Sequence, residues 1–175
     1  MGIKEILYYM YFRGDFMKQD AFSKYLKGMV IAMALLGLLL CMFFVPGFGK
    51  DIIKINPHLT YLYYPSLVFV YITVIPVYIA LWNAWRIFSN IGKNNSFCFE
   101  NSKRLKNIAY LASIDTFLYV TAAIALLSME ALGWNCLIFI VLIVFIGFAM
   151  AIVCSSLSHL VDKAASIKEE NDLTI

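Results

Sequence analysis

Charged residues are scarce in this chain of 175 residues, and long stretches have none. Asp, Glu, Lys and Arg make up 14% of the sequence, while hydrophobic residues make up 62%. Soluble domains carry about a quarter charged residues and a little under half apolar ones, so this balance is typical of a membrane protein. Each membrane span takes roughly 20 residues. The length therefore leaves room for a single transmembrane domain, residues 1–175, and none for a separate soluble enzyme domain.

Catalytic and metal-binding patterns are missing as well. The sequence has no phosphate-binding loop, no G-x-S-x-G or H-E-x-x-H motif and no paired carboxylates, so catalysis of the soluble-enzyme type has no candidate residues. The four cysteines form no C-x-x-C pair, and His58 and His159 lie far apart, whereas a metal site needs clustered ligands. The net charge of +3 does not indicate nucleic-acid binding. We predict a protein that is not an enzyme, with no metal, no cofactor and no direct contact to nucleic acid.

Four apolar runs are present, and each is long enough to cross about 30 Å of hydrocarbon as a helix. They cover about residues 28–45, 61–88, 108–129 and 136–160. We expect Pro46 and Gly47 to end the first span, and Pro65 and Pro76 to kink the second without breaking it. Because few residues separate the last two runs, those helices should form an antiparallel hairpin. The predicted fold is all-α, a polytopic integral membrane protein with four transmembrane helices in an antiparallel bundle.

Lys and Arg are distributed unevenly between the two ends of this bundle. The loops on one side hold only Lys50 and Lys54. The N-terminal segment, the middle loop between spans two and three and the C-terminal tail hold the others, which are Lys4, Arg13, Lys18, Lys24, Lys27, Arg86, Lys93, Lys103, Arg104, Lys106, Lys163 and Lys168. Cytoplasmic loops of membrane proteins carry the excess of Lys and Arg. We therefore expect a multi-pass protein of the cell membrane with both termini in the cytoplasm.

Residues 1–26 precede the first span and are assigned to the cytoplasm. Ile3, Ile6, Leu7 and Met10 are spaced as on one face of a helix, which favours an interfacial helix lying on the inner leaflet. A loosely ordered amphipathic tail is the alternative. Because no small-x-small cleavage site follows the first apolar run, we expect that run to be retained as a span rather than removed as a signal peptide.

Asp115 is the one acid inside the third apolar run, and acids within a span usually face the bundle interior or water. One interpretation is structural, with the carboxyl hydrogen-bonded to groups such as Ser113, Thr73 or the serines near the end of span four. A second is binding of a cation or transfer of a proton, and a third is a position at the membrane interface. Asp115, Thr73 and Ser113 therefore form a candidate intramembrane polar site.

The fourth run carries small residues and a histidine at intervals of four, namely Gly147, Ala151, Ser155 and His159. Small residues let helices approach closely in lipid, where packing rather than the hydrophobic effect drives association. We predict these four residues to be a helix-contact face, either within the bundle or between copies of the chain. In the second case the protein would form a homo-oligomer. His159 is expected at the cytoplasmic interface rather than in a metal site.

Two segments are more specific than the apolar runs. The matching pieces of the middle loop are, in order, Ile87-Phe88, Gly92-Lys93, Phe97, Asn101, Arg104-Leu105 and Ile108-Ala109. The chain ends in Glu-Glu-Asn-Asp-Leu-Thr-Ile over residues 169–175. These segments resemble the bacterial four-helix membrane family catalogued as domain of unknown function 2975. The family typically has a Pro-Phe-Ser or Pro-Phe-Thr turn after the glycine, where residues 95–98 of this chain read Asn-Ser-Phe-Cys.

The resemblance implies a four-helix membrane protein without an established activity. Members are often encoded beside a small helix-turn-helix regulator, which suggests such a regulator as a partner in addition to the lipid bilayer. Our leading hypothesis is therefore a membrane partner or sensor for a cytoplasmic transcription regulator. The alternative is a small transporter or a membrane-peptide immunity protein, with Asp115 and the two proline kinks shaping a cavity.

The cytoplasmic tail, residues 161–175, has two interpretations. Its apolar Leu-Thr-Ile tip ends in a carboxylate. Such a tip is suited to pairing as a strand with the sheet of a partner, or to binding through its carboxylate. Alternatively, the acidic tail packs back on the basic middle loop. In either case we predict one set of partner-binding residues, which are Lys103, Arg104, Lys106, Glu169, Glu170, Asp172, Leu173, Thr174 and Ile175.

Overall fold

A computed structural model of the chain describes the backbone of residues 3–129 and 133–173, and the side chains of residues 19–129, 133 and 136–171. It contains the helices α1 (Ile3–Leu39), α2 (Val45–Ile55), α3 (Tyr63–Gly92), α4 (Phe99–Ser128) and α5 (Trp134–Leu173). A π-helical turn, Leu40–Phe44, joins α1 to α2, and a 3₁₀ helix, Pro57–Leu62, leads into α3. No strand occurs within the described ranges, and the all-α prediction is confirmed.

The predicted number of spans is also confirmed. Among the described residues, four helical stretches are long and apolar enough to cross a membrane, namely Gln19–Ile55, Pro57–Gly92, Phe99–Ser128 and Cys136–Asn171. Each is longer than the apolar run that predicted it, because the helices continue into polar flanking residues. At the N-terminus, α1 runs without a break from Ile3 into the first span. The placement of residues 3–18 on the membrane surface stays a prediction, as does the side that the termini face.

The helix of the first span does not end at Pro46 and Gly47 as expected. The backbone widens into the π-helical turn, where the Val45 N–H donates to the Leu40 carbonyl five residues back. Pro46 then falls in the first turn of α2, where a missing backbone N–H costs little, and the helix continues to Ile55.

The two prolines of the second span have different positions in α3. Pro65 lies in the first turn, where the backbone N–H groups have no partner within the helix, so it has no hydrogen bond to break there. Pro76 lies inside α3, and the helix continues past it as expected.

The helices pack in chain order, with α1 against α3, α3 against α4 and, most extensively, α4 against α5. The α4–α5 pair is the predicted antiparallel hairpin. Large apolar side chains such as Phe117 and Phe145 are about two-thirds exposed on the outside. The buried residues include many small and polar ones, namely Ser23, Thr73, Asn83, Asn101, Ser102, Thr116 and Ser158. This arrangement suits lipid as the solvent, because helices there associate through close packing and hydrogen bonds.

Candidate functional site at the basic end of the bundle

The middle turn, residues 93–98, connects α3 to α4 at the basic end. Asn94 has a φ of 60°, the left-handed conformation that commonly follows the last residue of a helix. The Asn95 N–H donates to the Asn90 carbonyl at 3.0 Å, and the Asn94 N–H donates to the Ile91 carbonyl at 3.0 Å. This pair of bonds is a Schellman motif. The motif ends α3 without a proline in the turn, whose residues 95–98 read Asn-Ser-Phe-Cys.

Asn101 holds the middle turn from the α4 side. Its side chain is 1% exposed, and its Oδ1 accepts a hydrogen bond from Asn90 Nδ2 at 2.8 Å. Its Nδ2 donates to the Ser96 carbonyl at 2.9 Å and to the Asn95 carbonyl at 3.3 Å. A single amide therefore fastens the end of α3, the turn and the start of α4 together.

Arg104, one of the predicted partner-binding residues, is already engaged within the chain. Its Nη2 donates to Glu100 Oε1 one helical turn earlier, at 2.5 Å. Its side chain is 19% exposed, and its Nε atom is buried without a hydrogen-bond acceptor. Lys103 and Lys106 are exposed beside it. The basic surface available to a partner is therefore carried by these two lysines more than by Arg104.

Two serines tie α5 to the start of α4. The Ser102 hydroxyl donates to the Ser158 carbonyl at 3.0 Å, and the Ser158 hydroxyl donates to the Ser102 carbonyl at 2.9 Å. Both side chains are buried. This reciprocal pair sets the register of the hairpin at its basic end. The prediction of site residues did not include either serine.

On the opposite flank, α1 is fastened to the end of α3. The Ser23 hydroxyl donates to the Phe88 carbonyl at 2.5 Å, and Ser23 lies so close to Gly92 that a Cβ there would meet the serine oxygen at 2.7 Å. Farther along the span, the Tyr78 hydroxyl donates to the Ala34 carbonyl at 2.7 Å. These contacts hold α1 and α3 together along their length.

A cavity of about 450 Å³ opens between α1, α3 and the start of α4, and we call it the basic cavity. Its charged lining residues are Lys24, Lys27, Arg86, Lys93, Arg104, Asp20 and Glu100. Two of the cations lie over indole rings. Lys27 Nζ is 5.5 Å from the centre of the Trp85 ring, and the Arg86 guanidinium carbon is 5.5 Å from the centre of the Trp82 ring.

The three residues of the predicted intramembrane polar site do not bond to one another. Thr73 is buried and its hydroxyl pairs with the Tyr119 hydroxyl at 3.1 Å, while Ser113 donates to the Ala109 carbonyl of its own helix. Asp115 Oδ1 is buried without a hydrogen-bond partner. The structural interpretation of Asp115 therefore lacks the hydrogen bonds on which it depended. The rotation of α3 relative to α4 decides this, because it brings Tyr119 rather than Asp115 to Thr73.

Replacing Asp115 with leucine is expected to raise the free energy of unfolding by about 1 kcal/mol, because it removes a buried oxygen that has no partner and an acid from a span. Asp115→Asn is expected to have a smaller effect. Thermal unfolding of the purified protein in detergent measures both changes. A clear loss of stability in the leucine variant would restore the structural interpretation. Unchanged stability with a lost activity would favour a role in binding a cation or moving a proton.

Within the bundle, only the first half of the predicted contact face on α5 is partly buried, and contact of its second half between copies of the chain stays a prediction. Gly147 packs against Thr116 of α4, and Ala151 is half-buried, but Ser155 and His159 are exposed. The buried face continues instead through Cys154, Ser158 and Ala165. A repeat of four residues advances about 40° beyond a full turn at each step, so it drifts off the contact line. Alternating steps of three and four residues stay on that line.

The tail continues as part of α5 rather than as a separate segment. Its helix reaches Leu173, Ala165 is 4% exposed, and the side chains of Lys163, Lys168 and Glu169 are exposed. Glu170 is exposed as well. The remaining predicted partner-binding groups, the side chains of Asp172 and Leu173 and the whole of Thr174 and Ile175, lie outside the described residues.

Comparison with known proteins gives a family without an assigned activity. A family model described as "Protein of unknown function (DUF2975)" matches residues 47–175. The uncharacterized membrane protein YoaS of Bacillus subtilis (strain 168) is 31% identical over 150 residues, which cover 83% of this chain and 94% of the relative. No solved structure matches the chain. This chain therefore belongs to the DUF2975 family, and it is a membrane protein.

Proposed function

We propose that this protein is a non-enzymatic component of the bacterial cell membrane whose basic end faces the cytoplasm and recruits or restrains a small helix-turn-helix regulator. The observation that supports this most directly is the extension of α5. The helix continues for residues 161–173 past its apolar run, a distance of about 20 Å. Its exposed residues among 161–171 are mostly charged, Ile167 and Asn171 being the uncharged ones, so this extension is suited to a protein partner rather than to lipid tails.

The basic end also has the rigidity that a docking surface needs. The Asn101 amide fixes the middle turn, and the paired serines Ser102 and Ser158 fix α5 beside the start of α4. Exposed Lys103 and Lys106 follow Ser102 on α4, and exposed Lys163 and Lys168 follow Ser158 on α5, so these bonds anchor the two helices that carry the four lysines. A preformed surface loses little conformational entropy when a partner binds.

If a gene for a small helix-turn-helix regulator lies beside this gene, binding of that regulator tests this proposal. The full chain in lipid nanodiscs should bind the purified regulator, and a chain cut after Lys168 or carrying Lys163→Glu with Lys168→Glu should bind about tenfold more weakly, a loss of about 1.4 kcal/mol. Lys50→Glu with Lys54→Glu, at the opposite end of the bundle, is the matched control and should bind as the unaltered chain does. Equal binding by all four proteins would remove the α5 extension from the proposal. No binding by the full chain would refute it.

A second candidate function, membrane-peptide immunity, is favoured by a cavity at the opposite end. This cavity of about 260 Å³ lies between α2, α3 and the start of α5, and its lining is mainly apolar, including Phe44, Phe48, Ile52, Leu62 and Leu126. Such a lining suits an apolar peptide side chain better than a transported polar solute. If a peptide-toxin gene lies beside this gene, cells that make the chain should resist the peptide, and Leu62→Trp should abolish that resistance by filling the cavity.

A further inference from the structure

The basic cavity has the charge of an anion-binding site. Five cationic side chains and two acidic ones line it, and the cations come from three different helices. One of the two acids, Glu100, is paired with Arg104. The cations that remain, above all Lys27 and Arg86, have no ion pair among the described residues. Convergent cations that outnumber the acids favour a negatively charged ligand.

Arg104 supplies a second, independent observation. Its guanidinium binds Glu100 through Nη2 only, and its Nε–H is buried without an acceptor. A buried donor without a partner costs about 1–3 kcal/mol, and such donors are rare in folded proteins. An anion in the cavity that this side chain lines would supply the missing negative charge.

The position of the basic cavity indicates which anion it meets. Trp82 is 60% exposed at its rim, Trp85 lies beside it, and each ring carries a cation. Tryptophan is enriched at the level of the lipid headgroups, and basic pockets between transmembrane helices bind phosphorylated headgroups. Arginine and lysine are also the side chains that bind phosphate most readily.

We propose that the basic cavity binds a phosphate group that carries net negative charge, either in the headgroup of an anionic phospholipid or in a free phosphate compound. Lys27 and Arg86 bind the phosphate oxygens at the rim, and Arg104 contributes charge from deeper in the cavity. The ligand joins α1, α3 and α4 at the end of the bundle. This inference does not depend on the proposed regulator.

Tryptophan quenching by brominated lipids tests the proposal. The sequence has three tryptophans, so Trp134→Phe leaves only Trp82 and Trp85, both of which line the basic cavity. Reconstituted in mixed vesicles, this protein should bind brominated phosphatidylglycerol about fivefold more strongly than brominated phosphatidylcholine, the effect of roughly one basic residue at an anionic surface. Lys27→Gln with Arg86→Gln should abolish the preference. Lys24→Gln with Lys93→Gln, which leaves both indole–cation contacts in place, should reduce it.

Two further arms complete the experiment. Lys50→Gln with Lys54→Gln removes the same charge from the opposite end and should keep the full preference. Pyrophosphate added to the phosphatidylglycerol vesicles distinguishes a lipid headgroup from a free phosphate compound. Loss of the lipid preference indicates a site that free phosphate compounds occupy. Persistence of the lipid preference indicates a site for lipid headgroups. The proposal is overturned if the two lipids quench equally and pyrophosphate leaves the fluorescence in phosphatidylcholine vesicles unchanged. It is also overturned if the Lys50 and Lys54 variant loses the preference as fully as the Lys27 and Arg86 variant.

Discussion

Replacing Gly147 with leucine is expected to lower the free energy of unfolding by about 3 kcal/mol, because it forces α4 and α5 apart. A Cβ atom on Gly147 would overlap the Thr116 hydroxyl oxygen and lie 3.3 Å from Thr116 Cβ. Thr116 is buried and its hydroxyl donates to the Ala112 carbonyl at 2.7 Å, so the side chain does not turn away without losing that bond. Unfolding of the purified protein by SDS, followed by circular dichroism, measures the loss.

Gly28 offers a matched control for this substitution. It lies in α1, and a Cβ built there meets nothing within 4 Å, so Gly28→Leu should leave the stability unchanged or slightly higher. Gly147→Ala should lower the free energy of unfolding less than Gly147→Leu does. Adding Thr116→Ala to Gly147→Ala should recover part of the lost stability, because it removes the overlapping oxygen. If Gly147→Leu is as stable as Gly28→Leu, the close approach of α4 and α5 at this point is wrong.

Replacing Asn101 with alanine is expected to cost about 2–3 kcal/mol and to free the middle turn. The substitution removes three hydrogen bonds and leaves the Asn90 amide and the Ser96 carbonyl without their shortest partner. Asn101 is the one amide among the buried residues of α4, so no other buried amide side chain of this helix replaces it. Hydrogen–deuterium exchange of residues 93–98 should rise in the variant, and SDS unfolding gives the change in stability.

Two companion variants show whether the Asn101 bonds are the cause. Asn107→Ala removes an exposed asparagine from the same helix and should change neither measurement. Asn101→Asp keeps the acceptor for Asn90 but loses the donors to Asn95 and Ser96, so it should free the turn almost as much as alanine does. Normal exchange in Asn101→Ala would mean that the Schellman motif alone holds the turn.

The pattern of apolar residues predicts the number of spans better than it predicts where each helix ends. Apolar length predicted four crossings correctly, because the thickness of the bilayer sets how many apolar residues a helix must present. The same reasoning did not predict that the helix continues past Pro46, where a π-helical turn changes the local hydrogen bonding. The amino-acid composition of this segment does not predict the π-helical turn.

The contact face on α5 shows a similar limit. The small residues at intervals of four were visible in the sequence, and Gly147 does pack closely against Thr116 of α4. His159 is exposed all the same, and Cys154 and Ser158 are buried in its place. The angle at which two helices cross decides which line of residues on one helix faces the other. The spacing of residues within a single helix does not determine this angle.

The sequence by itself determined that this is a membrane protein with four helical spans, since the count and length of apolar runs depend only on the chain and on the thickness of lipid. It also showed the accumulation of Lys and Arg at one end. Only the tertiary structure decided which polar groups meet there. Asn101 closes the middle turn, Ser102 pairs with Ser158, and cations from three helices converge on one cavity, because helix rotation and register bring residues together that are far apart in the chain.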